Sequence, residues 1–208
     1  MFGDVVNNTK CWKLGRLQDV SEVTSSKRVF SSDFVDSGIP FYRGSEISEL
    51  SENGYTKPEY YISRELYDEL SQYTGKPKRG DILLPSICSK GELWVVDSDD
   101  PFYIKDGRVL WIKTDLSLMN SIFLRYMLRK YIVEIFKTMA SGSTFAEMKI
   151  FILKSIPVVI PPLNLQNQFA DFVRQVDKSK VVLLKHIEDT KSLQQSIINS
   201  CFEANEDV

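Results

Sequence analysis

The sequence contains few of the side chains that bind metals or form disulfide bonds. Its 208 residues include one histidine, His186, and three cysteines. Cys11, Cys88 and Cys201 are odd in number and far apart, which argues against a disulfide framework. A zinc site would lack ligands at workable spacing. We interpret the three thiols as reduced, and we expect a cytoplasmic protein.

Long apolar runs and an excess of charge of one sign are also missing. No run approaches the roughly 18 apolar residues that span a bilayer, so we expect no membrane partner. The formal net charge is −2, and residues 1–160 carry 21 basic and 21 acidic side chains. Nucleic-acid binding would therefore depend on local basic patches, not on a field from the whole chain.

The sequence shows no recognisable catalytic motif. Its ten glycines are scattered, so no glycine-rich loop is available to hold a phosphate. It has no Gly-x-Ser-x-Gly elbow and no His-Glu-x-x-His pair. A DNA methyltransferase would need a glycine-rich cofactor loop and a tetrapeptide of the Asn-Pro-Pro-Tyr kind, and the sequence contains neither. We therefore expect a protein that is not an enzyme and needs no cofactor of its own.

The pattern of the first 160 residues predicts an α+β domain that is mostly β with short helices. Short runs rich in β-branched and aromatic residues, separated by Gly, Asp, Ser and Pro, predict strands. These runs are Val20–Thr24, Ile39–Arg43, Asp81–Pro85, Glu92–Val96 and Arg108–Lys113, and a further strand-like run, Ile156–Ile160, precedes two prolines. Ser63–Ser71 reads as a helix capped by Ser63. From Leu116, apolar residues recur every three or four positions, which predicts an amphipathic helix ending before Gly142.

Pro161 and Pro162 mark a change of character in the chain. After them, about 40 residues without Gly or Pro predict one long α-helix of the coiled-coil type, on the order of 60 Å in length. We therefore assign a domain to residues 1–160 and a spacer helix to residues 161–208. An apolar stripe near heptad spacing predicts that this helix pairs with another. The expected pairing residues are Phe169, Phe172, Val173, Val176, Leu183, Leu184, Ile187, Ile197 and Cys201.

Several motifs in this order resemble the specificity subunit of type I restriction–modification systems. They are Gly38-Ile39-Pro40-Phe41-Tyr42-Arg43-Gly44, Gly80-Asp81-Ile82-Leu83-Leu84, Gly142-Ser143-Thr144, and Ile160-Pro161-Pro162-Leu163 followed by Gln168. The entry Trp12-Lys13-Leu14-Gly15 with Asp19-Val20 is similar to the start of that family's target recognition domain. The chain shows one such domain and one helix without an internal repeat, so it resembles a half subunit or a fragment of a whole one.

The resemblance implies a non-catalytic subunit that reads one half-site of a bipartite double-stranded DNA target. It also implies docking to adenine methyltransferase subunits, which use S-adenosylmethionine, and to a restriction subunit, which uses ATP. Self-association through the long helix, as a dimer, is a further expectation. A protein–protein interaction module with a helical stalk and no DNA role remains the alternative.

On this reading, candidate DNA contacts follow from side-chain chemistry. Arg43 lies at a strand end, where its guanidinium could meet guanine or a phosphate; an ion pair with Glu46 or another carboxylate is the alternative. The other candidates are basic or small polar residues in predicted turns and loops. The full set is Tyr42, Arg43, Ser45, Lys76, Lys78, Arg79, Ser86, Ser89, Lys90, Ser141, Ser143, Thr144 and Lys149.

Overall fold

The computed structural model describes residues 2–3, 7–140 and 147–203. The strands in these ranges are β1 (Lys13–Arg16), β2 (Ser21–Thr24), β3 (Phe34–Val35), β4 (Ile39–Tyr42), β5 (Tyr60–Ile62), β6 (Ile82–Pro85), β7 (Trp94–Val95), β8 (Tyr103–Ile104), β9 (Val109–Thr114) and β10 (Pro157–Ile160). The helices are α1 (Gly44–Asn53), α2 (Arg64–Thr74), α3 (Ser121–Ala140), α4 (Ile150–Ser155) and α5 (Leu163–Glu203). The chain divides into two compact units, Met1–Asn167 and Gln168–Val208.

The first four-stranded sheet has the antiparallel order β2-β9-β6-β7. All four residues of β6 and most of β9 are buried, which explains their nearly continuous apolar sequence. Helix α1 packs against this sheet through Ile47 and Leu50. The resulting core contains Leu83, Trp94 and Trp111 among its buried side chains.

The second four-stranded sheet has the order β3-β5-β4-β8, with β4 and β8 parallel. Its core, formed by Ile39, Phe41, Ile62 and Tyr103, includes Tyr67 from α2. Gly38 has φ +153°, and a Cβ there would lie 2.5 Å from the Ile62 carbonyl oxygen. The glycine of the Gly38-Ile39-Pro40 motif is therefore required by close backbone approach.

A separate two-stranded antiparallel sheet joins β1 near the N-terminus to β10 just before the proline pair. Leu14 lies opposite Val159, and Gly15 lies opposite Val158. This pairing joins the beginning of the first unit to a strand near its end.

The α+β class is confirmed, with a mixed sheet domain followed by a long helix. The six predicted strands appear as β2, β4, β6, β7, β9 and β10. Ser63 caps α2 as expected, since its hydroxyl accepts a hydrogen bond of 3.2 Å from the Leu66 backbone N–H. The sequence prediction missed helix α1, short helix α4, and strands β1, β3, β5 and β8.

The turn after the proline pair is fixed by Gln166, which is fully buried. Its side-chain oxygen accepts a hydrogen bond of 2.8 Å from the Asn120 backbone N–H. Its amide donates to the carbonyl oxygens of Pro161, at 2.8 Å, and Leu118, at 3.1 Å. Gln168, the glutamine of the proline-pair motif, is exposed, and the buried Gln166 makes these contacts instead.

Helix α5 continues through the second unit to Glu203. Most of its described side chains beyond Val173 are exposed. No helix in the described ranges combines the length and the apolar character needed to cross a membrane.

Candidate nucleic-acid interface

A polar cleft of about 390 Å³ lies where α1 begins and β6 ends. Three of the predicted DNA-contact residues, Arg43, Ser45 and Ser86, line this cleft together. It also contains two cations that the sequence analysis did not select, Lys105 and Arg108. The remaining lining residues are Gly44, Ser48, Pro85 and Ile87.

Backbone contacts fix the walls of the cleft. A Cβ on Gly44 would lie 3.3 Å from the Pro85 Cβ, so the start of α1 packs closely on the end of β6. The Ser86 N–H donates to the Arg108 carbonyl oxygen at 2.8 Å. The Lys105 N–H donates to the Tyr42 carbonyl oxygen at 2.9 Å. These bonds bring together residues that are distant in sequence.

Arg43 forms the ion pair that the sequence analysis considered as its alternative role. Its Nε and Nη2 atoms lie 3.2 and 2.7 Å from the two carboxylate oxygens of Glu46. Nη2 also lies 2.5 Å from Glu59 Oε2, and the guanidinium carbon lies 4.8 Å from the centre of the Tyr60 ring. Hydrogen bonding to Glu46, opposed by partial desolvation and reinforced by Glu59, raises the pKa of Arg43. The guanidinium is therefore held in place and charged at the cleft wall.

Glu46 fixes both the side chain of Arg43 and the first turn of α1. One of its oxygens accepts hydrogen bonds of 2.9 Å from the Arg43 backbone N–H and from the Ser45 hydroxyl. Its side chain is 5% exposed. Burial raises the pKa of this carboxyl, but the hydrogen bonds from Arg43, Ser45 and the backbone outweigh burial, so the pKa is lowered. Glu46 therefore stays ionised and, as the third residue of α1, accepts the backbone N–H of the N-cap residue Arg43, as in a capping box.

Arg108 and Lys149 share the carboxylate of Glu147. Arg108 Nη1 contacts Glu147 Oε1, and Lys149 Nζ lies 2.7 Å from Glu147 Oε2. The Met148 N–H donates to the Ser86 carbonyl oxygen at 2.6 Å, which ties this segment to the cleft. The predicted contact Lys149 therefore belongs to the same neighbourhood as Arg43, Ser45 and Ser86.

Tyr42 has a structural role. Its ring stacks on Phe102 with a centroid distance of 5.1 Å and meets Trp94 edge-on at 6.4 Å. Burial, with added repulsion from Asp100, raises the pKa of its hydroxyl group. Because the ring packs against the core, we leave Tyr42 out of the proposed DNA contacts.

The predicted basic residues Lys76, Lys78 and Arg79 form a second group before β6, whereas the cleft lies after it. Four strand residues separate the two places by about 13 Å. Lys76 Nζ lies 2.8 Å from Asp68 Oδ1, and Arg79 pairs with Asp99 at 3.3 Å. Lys78 lines another cleft of about 450 Å³ together with Lys113 and several acidic or neutral residues.

Two of the remaining predicted loop contacts lie in the described part of the chain, and three do not. Ser89 and Lys90 are exposed between β6 and β7, and the Lys90 N–H donates to Glu92 at 3.1 Å. Ser141, Ser143 and Thr144 lie outside the described residues.

The expected pairing residues of α5 are mostly exposed where the structure describes them. Val176, Leu183, Ile187 and Ile197 are 48%, 61%, 52% and 62% exposed, and Phe172 is 61% exposed. Val173 is 7% exposed and offers little surface to a partner, while Phe169 is half-buried. The side chains of Leu184 and Cys201 lie outside the described set.

Comparisons with known proteins point in one direction. The family model described as type I restriction modification DNA specificity domain matches residues 9–190. A putative type I restriction enzyme specificity subunit of Haemophilus influenzae is 30% identical over 166 residues, which is 77% of this chain and 39% of that protein.

Solved structures show the same fold. The HsdS subunit of Thermoanaerobacter tengcongensis aligns with a TM-score of 0.54 and 16% identity, covering 81% of this chain and 38% of the other. The S subunit of a type I restriction–modification system from M. genitalium aligns with a TM-score of 0.56 and 14% identity, covering 82% and 40%. The chain thus spans about two fifths of the length of these relatives.

Proposed function

The chain belongs to the family of type I restriction–modification DNA specificity domains, and from this premise we propose that it reads one half-site of a bipartite double-stranded DNA target. On this proposal the chain is the non-catalytic, sequence-reading part of a larger complex. The reaction, with S-adenosylmethionine or ATP, takes place on partner subunits.

The polar cleft is the observation that best supports DNA reading by this particular chain. It gathers Arg43, Lys105 and Arg108 around the hydroxyl-bearing residues Ser45, Ser48 and Ser86. Arginine and lysine are the usual partners of phosphate oxygens, and small hydroxyl groups add neutral hydrogen bonds. Such a mixture suits a backbone contact that fixes the register of the domain on the duplex.

Individual roles follow from exposure and pairing. Lys105, Arg108 and Lys149 are exposed and suited to phosphates. Arg43 is fixed by Glu46, so it presents an oriented guanidinium to the cleft. Lys78 and Arg79 lie before β6 and are proposed to contact the backbone further along the duplex. Ser89, Lys90 and the segment with Ser141, Ser143 and Thr144 remain predicted contacts.

The long helix is the proposed site of assembly. Its exposed apolar stripe suits pairing with a second helix, from another copy of this chain or from the rest of a longer subunit. Methyltransferase and restriction subunits are the further partners that the family implies, and the cytoplasm is the expected compartment.

Salt-dependent binding of duplex DNA tests the reading function. We expect fluorescence anisotropy to detect binding of the full chain, alone or with co-purifying methyltransferase subunits, and to show a steep loss of affinity between about 50 and 200 mM salt. The double substitution Lys105→Ala with Arg108→Ala should reduce the magnitude of the slope of log K against log salt by at least about one, because Lys105 makes no ion pair among the described residues, whereas Arg108 already pairs with Glu147. No binding at low salt would favour the protein-interaction alternative.

A matched control removes the same charge elsewhere. Lys13 and Arg16 are exposed on β1, in the two-stranded sheet. Replacing both by alanine should leave the salt slope within about half a unit of wild type, because neither lines the cleft. An equal loss in both double variants would contradict a DNA contact at the cleft.

A further inference from the structure

Two of the three cations that line the cleft, Arg43 and Arg108, are already paired with carboxylates in the free chain. Arg43 contacts Glu46 and Glu59, and Glu147 contacts both Arg108 and Lys149. Among the described residues, Lys105 makes no ion pair. Counting these side chains, four cations face three carboxylates, so the excess positive charge around the cleft is small.

The three carboxylates are not equivalent. Glu46 is nearly buried and caps α1, so it is part of the fold. Glu59, by contrast, is 58% exposed and follows helix α1 on a loop. Glu147 lies three residues before α4, next to the buried Met148, and its side chain is 26% exposed. Contacts with Lys149, slightly opposed by desolvation, and with Arg108 lower its pKa, so it is ionised at neutral pH.

Carboxylate and phosphate oxygens compete for the same donors. A guanidinium group binds either anion through the same planar set of N–H groups. Exposed ion pairs contribute little to stability, so an incoming phosphate can displace them without unfolding the domain. The pairs of Glu59 and Glu147 therefore occupy positions that a DNA backbone would use.

We propose that Glu59 and Glu147 form a removable acidic shield on Arg43 and Arg108, two cations of the cleft, and that phosphodiester oxygens of duplex DNA displace this shield when the domain docks. The shield weakens attachment to DNA of arbitrary sequence, because each phosphate contact must first break an internal ion pair. Lys105 has no such pair in the described structure, so it is the first cation of the cleft to contact a DNA phosphate. This inference rests on the proposed function, since it requires that the cleft meets DNA.

The test is to neutralise the shield while keeping its shape. In the full chain, Glu59→Gln with Glu147→Gln should increase affinity for a random-sequence duplex by about twofold to fivefold per substitution. The salt slope should become steeper by up to about two, because two more cations release counterions on binding. Fluorescence anisotropy over a salt series measures both quantities, and circular dichroism verifies folding.

The control is Glu65→Gln with Glu69→Gln. Both residues are exposed on α2, and the change in net charge is the same. This variant should stay within about twofold of wild type, since it changes only the distant field. Equal gains in both variants would reduce the effect to overall charge and overturn the shield.

The outcomes separate this inference from the proposed function. If wild type binds duplex DNA but the Glu59/Glu147 variant binds it with the same affinity and slope, the shield is wrong and DNA reading stands. A lower affinity would make these carboxylates positioning residues for Arg43 and Arg108 and would also overturn the shield. If neither protein binds DNA at low salt, the reading function itself fails.

Discussion

Asp81 is a buried carboxylate that organises the turn before β6. It is 1% exposed, and its Oδ2 accepts hydrogen bonds from the Trp111 indole N–H at 2.8 Å and from the Lys78 backbone N–H at 3.1 Å. Asp81→Ala should lower the free energy of unfolding by about 1–3 kcal/mol, because it leaves a buried indole N–H unpaired. Denaturant titration measures the loss. Asp99→Ala, at an exposed ion pair, should cost under about 0.5 kcal/mol.

The pH dependence of Asp81 has a definite sign. Burial raises the pKa of this carboxyl above its ordinary value, although hydrogen bonds from Lys78 and Trp111 oppose the shift. Between the two pKa values the folded state binds more protons than the unfolded state, so this group's contribution to stability falls as pH rises through that window. We expect the stability of Asp81→Asn relative to wild type to increase with pH across it and then level off. A flat difference from acidic to neutral pH would contradict this.

Some residues of the cleft could be predicted from the sequence, and others could not. Arg43, Ser45 and Ser86 were predicted as DNA contacts because they flank predicted strands, and the structure places them in one cleft. Arg108 also begins a predicted strand, but it was not selected because its place beside Ser86 depends on a backbone hydrogen bond across 22 positions of sequence. Lys105 was missed for the same reason, since it follows β8 and its hydrogen-bond partner Tyr42 ends β4, far earlier in the sequence. Such long-range pairing leaves no local signal in one sequence.

At the level of elements, apolar runs were predictable and weakly patterned segments were not. Strands β6 and β9 are nearly continuous apolar runs, so they were found. Helix α1 has the sequence GSEISELSEN. Its first residue is glycine, its last is asparagine, and it contains three serines, so its helix propensity is low. It exists because Ile47 and Leu50 pack on the sheet and Glu46 caps its first turn. Tertiary packing overrides propensity there.

The start of α5 carries a prediction at this scale. Gln166→Ala should destabilise the first unit by at least about 2 kcal/mol, because it removes three hydrogen bonds that join the proline turn to Leu118 and Asn120. Gln168→Ala, two residues further along and exposed, should change stability by less than about 0.5 kcal/mol. Thermal or chemical unfolding of both variants gives the comparison. Equal stabilities would show that the buried amide does not fix the turn.

For the whole molecule, the proposed function places DNA reading and subunit assembly in different parts of the chain. The formal net charge of −2 provides no general attraction to DNA, so the proposed function requires local contacts, which we place at the cleft and its neighbours. The apolar side chains exposed on α5 have no such electrostatic role. They lie near heptad spacing, at Phe172, Val176, Leu183, Ile187 and Ile197, with the polar residues Lys180, Thr190 and Gln194 at intervening positions. This pattern was visible in the sequence and is typical of an interrupted helix-pairing seam.

This arrangement predicts that assembly can be removed without unfolding the first unit. Replacing Val176, Leu183 and Ile187 by glutamate places three charges in the exposed stripe, and burying them against a second helix would be unfavourable. We expect multi-angle light scattering to show a loss of self-associated mass, or co-purification to show a loss of methyltransferase docking. The near-ultraviolet dichroism of Trp94 and Trp111 should be unchanged. The control, Gln175→Glu with Ser192→Glu and Asn199→Glu, adds the same charge at exposed polar positions. If the stripe variant keeps wild-type mass and docking, the helix does not pair through these residues.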